Sequence, residues 1–356
     1  MSNASSLFGI KYSNHDFGKK KSWGKNIFNS TFPASLSSYL DSKGLAFKYI
    51  KYDNQKLTRT KVVDAFSMDL FGMELKSDEV LYGFEKVYLP YRQYAEVSIP
   101  RVDLVLAHHA ESVNDDRHIG LEIKLTAIPD STTRLKNDAD FGSELVVRPP
   151  TISYLAYSIA DSWSARKTDL LKLTSYINGL IDDWTNENKV VPYLSEIIKT
   201  LDEIIEQTDN EKPILLHPIW KTEADKAVLH EDCLDVFVWS NLAFSQLFIN
   251  ASRNQKSMTR QVRTSIWLLK MLHDFARDGK INHKFITDNY TYNVKNDKAF
   301  AVSGTQTNEY MKCKELTKPR IKKKEIKNMI IGGGERMLSP ERRFDAFVVN
   351  DSEIFD

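Results

Sequence analysis

The sequence predicts an α/β (α+β) protein, and three observations carry that prediction. Two neighbouring segments, 99–106 and 120–125, alternate apolar and polar residues with the period of two that a pleated strand imposes. Several later segments repeat apolar residues at the three-to-four spacing of an amphipathic helix. At 356 residues, with 42% hydrophobic and 27% charged, the chain can bury a sizeable core, as one elaborated domain or two smaller ones.

Taken in order, residues 5–30 are polar and glycine-punctuated but carry Phe8, Ile10, Phe17, Trp23 and Phe28, so this arm (1–30) is expected to pack on the body. A core unit is expected over 31–278. Within it, 32–42 reads as a helix with proline in its first turn and Gly44 past its end. A strand follows at 46–52, then a helical segment at 60–76 with Val62, Val63, Phe66, Met68 and Leu70 as core candidates. Residues 79–94 are aromatic and lead into the first alternating strand, where Val102, Leu104 and Leu106 share one face and Asp103 takes the other. In the second strand Leu121, Ile123 and Leu125 share a face, which leaves Glu122 and Lys124 together on the opposite side. A polar connection, 108–118, makes the pair an extended hairpin; His108, His109 and His118 within it lack a spacing that would lock metal ligands in place.

Pro149-Pro150-Thr151 opens a helix carrying Ile152, Leu155, Ala156 and Ile159. Two further helices, 168–184 and 192–207, carry apolar stripes from Leu170 to Trp184 and from Leu194 to Ile205. Residues 235–239 form a short apolar strand suited to the interior of the same sheet as Asp103. Helices are expected at 241–251 and 258–277, the second with Ile266, Leu269, Leu272 and Phe275 inward, and strands at 285–292 and 298–302. Region 279–356 is basic and belongs to the same compact unit. Gly332-Gly333-Gly334 lacks the lysine and hydroxyl of a phosphate-binding loop and reads as a hinge or turn.

Among these features the hairpin offers chemistry. Glu-x-Lys alone is nearly worthless, because it also occurs at Glu74–Lys76, Glu187–Lys189 and Glu325–Lys327. Only Glu122–Lys124 lies in a clean alternating strand with an aspartate-bearing strand shortly before it. The bland alternative is a strand with an exposed polar face. The chemical reading is a hydrolytic site: two carboxylates close together repel each other and invite a divalent cation, and Mg2+ prefers oxygen ligands. Such an ion polarises a phosphoryl oxygen and acidifies a water. Lys124 is placed to orient that water or stabilise developing charge, and the backbone carbonyl of Ile123 is a further ligand candidate. Glu85 and Glu96 are acidic neighbours, for each of which a surface ion pair is the default reading. No Gly-x-Ser-x-Gly elbow supports a serine hydrolase.

Charge points to a polyanionic partner. Between Lys312 and Arg343, eleven Lys or Arg face four Glu, a local +7, whereas the chain as a whole is +1 and the remainder therefore −6. Phosphates reward such a basic surface; the alternative is a solvated basic tail. No apolar run approaches the roughly 20 residues of a membrane span. The N-terminus lacks a signal-peptide layout, and Cys233 and Cys313 offer no disulfide framework and no zinc spacing. A reduced, cytoplasmic protein is expected.

Pro100 and Asp103 followed by Glu122-Ile123-Lys124 resemble the signature of the PD-(D/E)xK nuclease superfamily, with two residues between Pro100 and Asp103 where the signature has adjacent Pro-Asp. Leu7-Phe8-Gly9-Ile10-Lys11, Trp23-Gly24-Lys25-Asn26 and Gly120 to Asp130 look like HindVP-type type II restriction endonucleases. The resemblance implies a restriction-endonuclease-like mixed β-sheet core flanked by helices, with helical and basic C-terminal elaborations. It implies Mg2+-dependent cleavage of double-stranded DNA at a short sequence, with Asp103 and Glu122 holding the metal and Lys124 serving the water. The further acidic ligand that such nucleases often draw from an upstream helix has Glu85 as its candidate. A homodimer matching a palindromic site is expected, as are a bacterial cytoplasmic setting and a cognate DNA methyltransferase. Arg320, Lys322, Lys323, Lys324, Arg342 and Arg343 become candidates for DNA contact. The rival readings are a repair or junction-resolving nuclease with the same core, and a catalytically silent DNA-binding protein.

Overall fold

The computed structural model describes residues 12–14, 44, 46–51, 61–75, 80–108, 119–121, 143–145, 149–208, 213–216, 220–223, 226–229, 237–240, 245–246, 248–249, 252–253, 258–292 and 300–303. Mixed α/β structure fills them. The first sheet is four-stranded, in the order β1 (Tyr12–Ser13), β4 (Val80–Lys86), β5 (Val102–His108), β6 (Ile119–Leu121). Its β1–β4 pair is parallel, and β4–β5–β6 is an antiparallel ladder. The second sheet runs β3 (Lys61–Ala65), β2 (Phe47–Lys51), β11 (Phe237–Ser240), β8 (Pro213–Leu216), with β11 parallel to β2. Two smaller pairs complete the strands: β9 (Trp220–Glu223) with β10 (Lys226–Leu229), and β7 (Ser143–Leu145) with β12 (Phe300–Ser303).

The helices gather around one of their number. Short α1 (Ser67–Phe71) follows β3, and the others described are α2 (Pro149–Ser162), α3 (Lys167–Leu180), α4 (Glu187–Val190), α5 (Leu194–Glu206), α6 (Arg260–Asp278) and α7 (His283–Asn289). Val262, Ile266, Trp267, Leu268, Leu269, Met271, Leu272 and Phe275 of α6 are all buried. Arg263, Thr264, Ser265 and His273 of the same helix are buried too, so it is enclosed on more than one side, and α2, α3, α5 and α7 pack against it. Thr259 caps its start by accepting from the Val262 N–H, and Gly279, at φ 73°, ends it by donating its N–H to the Phe275 carbonyl. The predicted apolar residues of α2 and α5 are buried as expected. In α3 and the turn after it, Leu170, Ile177, Ile181 and Trp184 are buried, whereas Leu173 and Leu180 pack at the margin.

An aromatic layer joins these helices to the first sheet. A 3-10 turn at Leu89–Tyr94 follows β4 and rests on α2. Tyr91 lies 6.0 Å from Tyr154 and 5.9 Å from Tyr157, and Tyr94 meets Phe275 of α6 edge-on at 5.5 Å. Burial, with hydrogen bonding to Asp161, pushes the Tyr94 phenol up to about 12. Burial likewise raises Tyr91 and Tyr157, so all three stay protonated at neutral pH.

Several expectations are corrected. Residues 60–76 are not one helical segment: 61–65 form β3, paired antiparallel with β2, and the helix spans only Ser67–Phe71 before Gly72 turns left-handed at φ 64°. The adjacent β-branched residues Val62 and Val63 suit a strand. Phe66 and Met68 are 50% and 54% exposed, and the core is instead filled by Phe71, Met73 and Leu75. Residues 285–292 are not a strand. Asn282 accepts from the Phe285 N–H and starts α7, and Ile286 and Tyr290, one helical turn apart, are buried against α6. β11 does lie inside a sheet, between β2 and β8, but among the described residues that sheet is separate from the one that holds Asp103. The strands at 46–52 and 298–302 are found as β2 and β12, and 245–246 and 248–249 are helical. The proposed helix at 32–42 and the basic run from Lys312 lie outside the described residues, as does most of the arm. Of the arm, Tyr12 to Asn14 do pack on the body: the Asn14 side chain donates to the Phe84 carbonyl (3.0 Å) and accepts from its N–H (2.7 Å).

Candidate active site

The site is built on the β4–β5–β6 ladder. Asp103 lies in β5 between Val102 and Leu104, each 1% exposed, and Leu106 continues the buried face. The apolar face read from the sequence is therefore buried. On one side β6 pairs antiparallel with β5, Leu104 against Leu121, Val105 against Gly120 and Leu106 against Ile119. The predicted hairpin is real, and β6 is described as far as Leu121. Glu122, Ile123 and Lys124 lie beyond, outside the described residues.

On the other side lies Glu85. Phe84 pairs with Leu104 and Lys86 with Val102, so Glu85 stands at the intervening position of the ladder, beside Asp103. Glu85 is exposed and has φ 49°, a left-handed conformation that costs a non-glycine residue about 1–3 kcal/mol. Its neighbourhood is held by the Asn14 clamp on Phe84. Residues 79–94, aromatic and leading into β5, also supply β4, the strand that flanks Asp103. The signal was present: Val80, Tyr82 and Phe84 alternate and are buried at 1%, 2% and 0%.

Behind the ladder the aromatic layer fixes its ends. The Tyr154 hydroxyl of α2 donates to the Pro100 carbonyl (2.7 Å) and accepts from the Tyr88 N–H (3.4 Å). The Tyr88 ring lies so close to Gly120 that a Cβ there would sit 2.8 Å from its Cγ. Glycine at 120 is required by this approach. No sequence pattern marks Tyr154, because a tyrosine in a helix stripe reads as core.

His108 ends β5, half-buried and paired with Val80, while His109 and His118 lie outside the described residues. So do Arg320, Lys322, Lys323, Lys324, Arg342 and Arg343. Among the described residues no group of three or more His, Cys, Asp or Glu is clustered to hold a metal ion, and no helix is long and apolar enough to cross a membrane. The ladder register sets Asp103 and Glu85 at neighbouring positions, and carboxylate oxygen is the ligand type that suits Mg2+.

The described residues thus form a mixed α/β body with Asp103 in the middle strand of an antiparallel ladder. Comparison with known proteins gives the particular family. Residues 23–355 match the HindVP restriction endonuclease family. The chain is 41% identical to the type II restriction enzyme HgiDI of Herpetosiphon aurantiacus over 360 residues, 99% of this chain and 98% of that one. It is 39% identical to HindVP of Haemophilus influenzae, named a probable type II restriction enzyme, over 98% of this chain and 94% of the relative. No solved structure matches. The chain belongs to the HindVP restriction endonuclease family, and the expectation of a type II restriction enzyme is met.

Proposed function

We propose that this enzyme hydrolyses phosphodiester bonds of double-stranded DNA at a short recognition sequence, with Mg2+, as the nuclease of a restriction–modification system. The observation that supports the reading is the register of β5 on β6. Leu104 pairs with Leu121, and in an antiparallel ladder the position before one faces the position after the other. A strand continuing in this register past Leu121 would bring Glu122 opposite Asp103. Facing positions share a side of the sheet, and a strand continuing through Ile123 keeps Lys124 on that same side.

In this reading Asp103, Glu122 and the Ile123 carbonyl hold the ion, and Glu85, beside Asp103 in the ladder, is the candidate for a further acidic ligand. Bound there, Mg2+ supplies Lewis-acid polarisation of the phosphoryl oxygen and a more acidic water. The Lys124 ammonium donates to the attacking water or to the charge that develops on the phosphate. Arg320, Lys322, Lys323, Lys324, Arg342 and Arg343 neutralise backbone phosphates, each lowering the salt slope of binding by about one when removed. The fold is restriction-endonuclease-like, and the enzyme acts in the bacterial cytoplasm as a homodimer on a palindromic site, paired with a cognate methyltransferase.

Digestion of a plasmid of known sequence with Mg2+ tests the reading. Discrete fragments are expected; a smear, or cutting of branched DNA only, would move the assignment to a repair or junction nuclease. Asp103→Ala, Glu122→Ala and Lys124→Ala should each abolish cleavage while leaving Mg2+-independent DNA binding intact. Full cleavage by the Lys124 variant would sink the site assignment. A wild type that binds DNA and never cuts it would favour a silent DNA-binding protein.

A further inference from the structure

We infer that Tyr154 is a positioning residue for the cleavage site: its hydroxyl, delivered from helix α2, sets the relative placement of β4 and β5, which carry Glu85 and Asp103, and of β6 beside them. This inference rests on the proposed function. The hydroxyl donates to Pro100, three residues before Asp103, at 2.7 Å. It accepts from Tyr88, three residues after Glu85, at 3.4 Å. One oxygen thus ties the backbone leaving β4 to the backbone approaching β5. The third strand is reached through the same group, because the ring of Tyr88 packs on Gly120, two residues before Glu122.

The tether has little room to relax. Tyr154 is 6% and Tyr88 4% exposed. Tyr91 meets the Tyr88 ring edge-on at 4.7 Å, and Tyr157 meets the Tyr154 ring edge-on at 6.1 Å. Side chains packed on both sides move only with their neighbours, so the hydroxyl refers the ladder to α2, and through α2 to the helical core. Its removal lets the strand ends drift by fractions of an ångström while the packing of the ring persists. A misplacement of about 1 Å at reacting groups costs up to roughly 100-fold in rate.

Tyr154→Phe keeps the ring and deletes the tether. Tyr157→Phe is the control: its hydroxyl meets His283 Nδ1 at 3.3 Å and belongs to the same aromatic layer. In single-turnover cleavage, Tyr154→Phe should cut about 10–100-fold more slowly, with a raised Mg2+ half-saturation and DNA affinity within about twofold of wild type. Amide hydrogen exchange, read without metal or DNA, should quicken in segments 99–106 and 119–121 and stay unchanged in α6. Tyr157→Phe should cleave as wild type does. Wild-type cleavage by Tyr154→Phe overturns the inference, as does equal loss in the two variants, or a rate loss carried by DNA affinity alone. Failure of the underlying reading is separately visible, because Asp103→Ala and Glu122→Ala would then still cut, and the exchange result does not depend on cleavage.

Discussion

The change Gly120→Ala tests how closely β6 is seated on the aromatic layer. Gly120 is not in the left-handed region, so alanine in an open setting would gain about 0.4–1 kcal/mol by restricting the unfolded chain. Here the new Cβ would meet Tyr88 Cγ at 2.8 Å, Cδ2 at 2.9 Å and Cβ at 3.1 Å. The ring cannot swing clear: it is 4% exposed, with Tyr91 against it and Tyr154 on its backbone N–H. Forcing an extra methyl into such a site costs about 1–3 kcal/mol, so the net expectation is a loss of about 1–2 kcal/mol. Urea unfolding followed by circular dichroism measures it. In a Tyr88→Ala background the Cγ and Cδ2 contacts vanish, and the cost of Gly120→Ala should fall below about 0.5 kcal/mol. Leucine at 88 would be a poor background, because it keeps both the Cβ and the Cγ. A Gly120→Ala protein as stable as wild type, or a cost undiminished without the ring, would refute the close-approach argument.

Two further outcomes follow from the helical core. Thr208 accepts from the Trp163 indole N–H (2.9 Å) and donates to the Ile204 carbonyl (2.7 Å) in a buried setting; Thr208→Val strands the indole N–H and should cost about 1–3 kcal/mol in urea unfolding. Adding Trp163→Phe to it should cost less than Trp163→Phe alone, and strict additivity would count against the bond. Burial lowers the His273 imidazole from its ordinary 6.5, with Asp274 and Asp278 raising it and Lys270 and Arg277 lowering it; its Nδ1 sits 3.0 Å from the Thr174 hydroxyl. The unfolded chain therefore binds the proton more readily, so stability is full above 6.5 and falls as pH drops through and below that value. His273→Gln should flatten the fall of the urea midpoint between about pH 7 and 5, leaving the same-signed share of His283, which burial also lowers. An unchanged slope would reject this role.

Local pattern was informative where one face of one element decides burial. The alternation around Asp103, the Pro149-Pro150 helix start and the stripe from Leu194 to Ile205 each report a face pressed on the core, and each is found as read. It failed where neighbours decide. Phe285 to Tyr292 carry strand-prone side chains, yet the Asn282 cap and burial of Ile286 and Tyr290 on α6 make 283–289 helical. Val62 and Val63 read as part of a helix until β2 supplied a partner. Glu85 is exposed, as a surface acid should be, but its place beside Asp103 exists only once β4 is docked on β5.

By itself, then, the sequence determined the α/β class, the central helices, the hairpin with its Asp103 strand, and the family. All of these follow from periodicity and from residue identity along the chain. The tertiary structure decided which strands share a sheet, that Glu85 flanks Asp103, and that one tyrosine on α2 anchors the strand ends around the site. The physical reason is range. Turns, caps and alternation act over a few residues, whereas Tyr154 reaches Pro100 across 54 positions and Tyr88 across 66, distances over which only packing of the whole core selects partners.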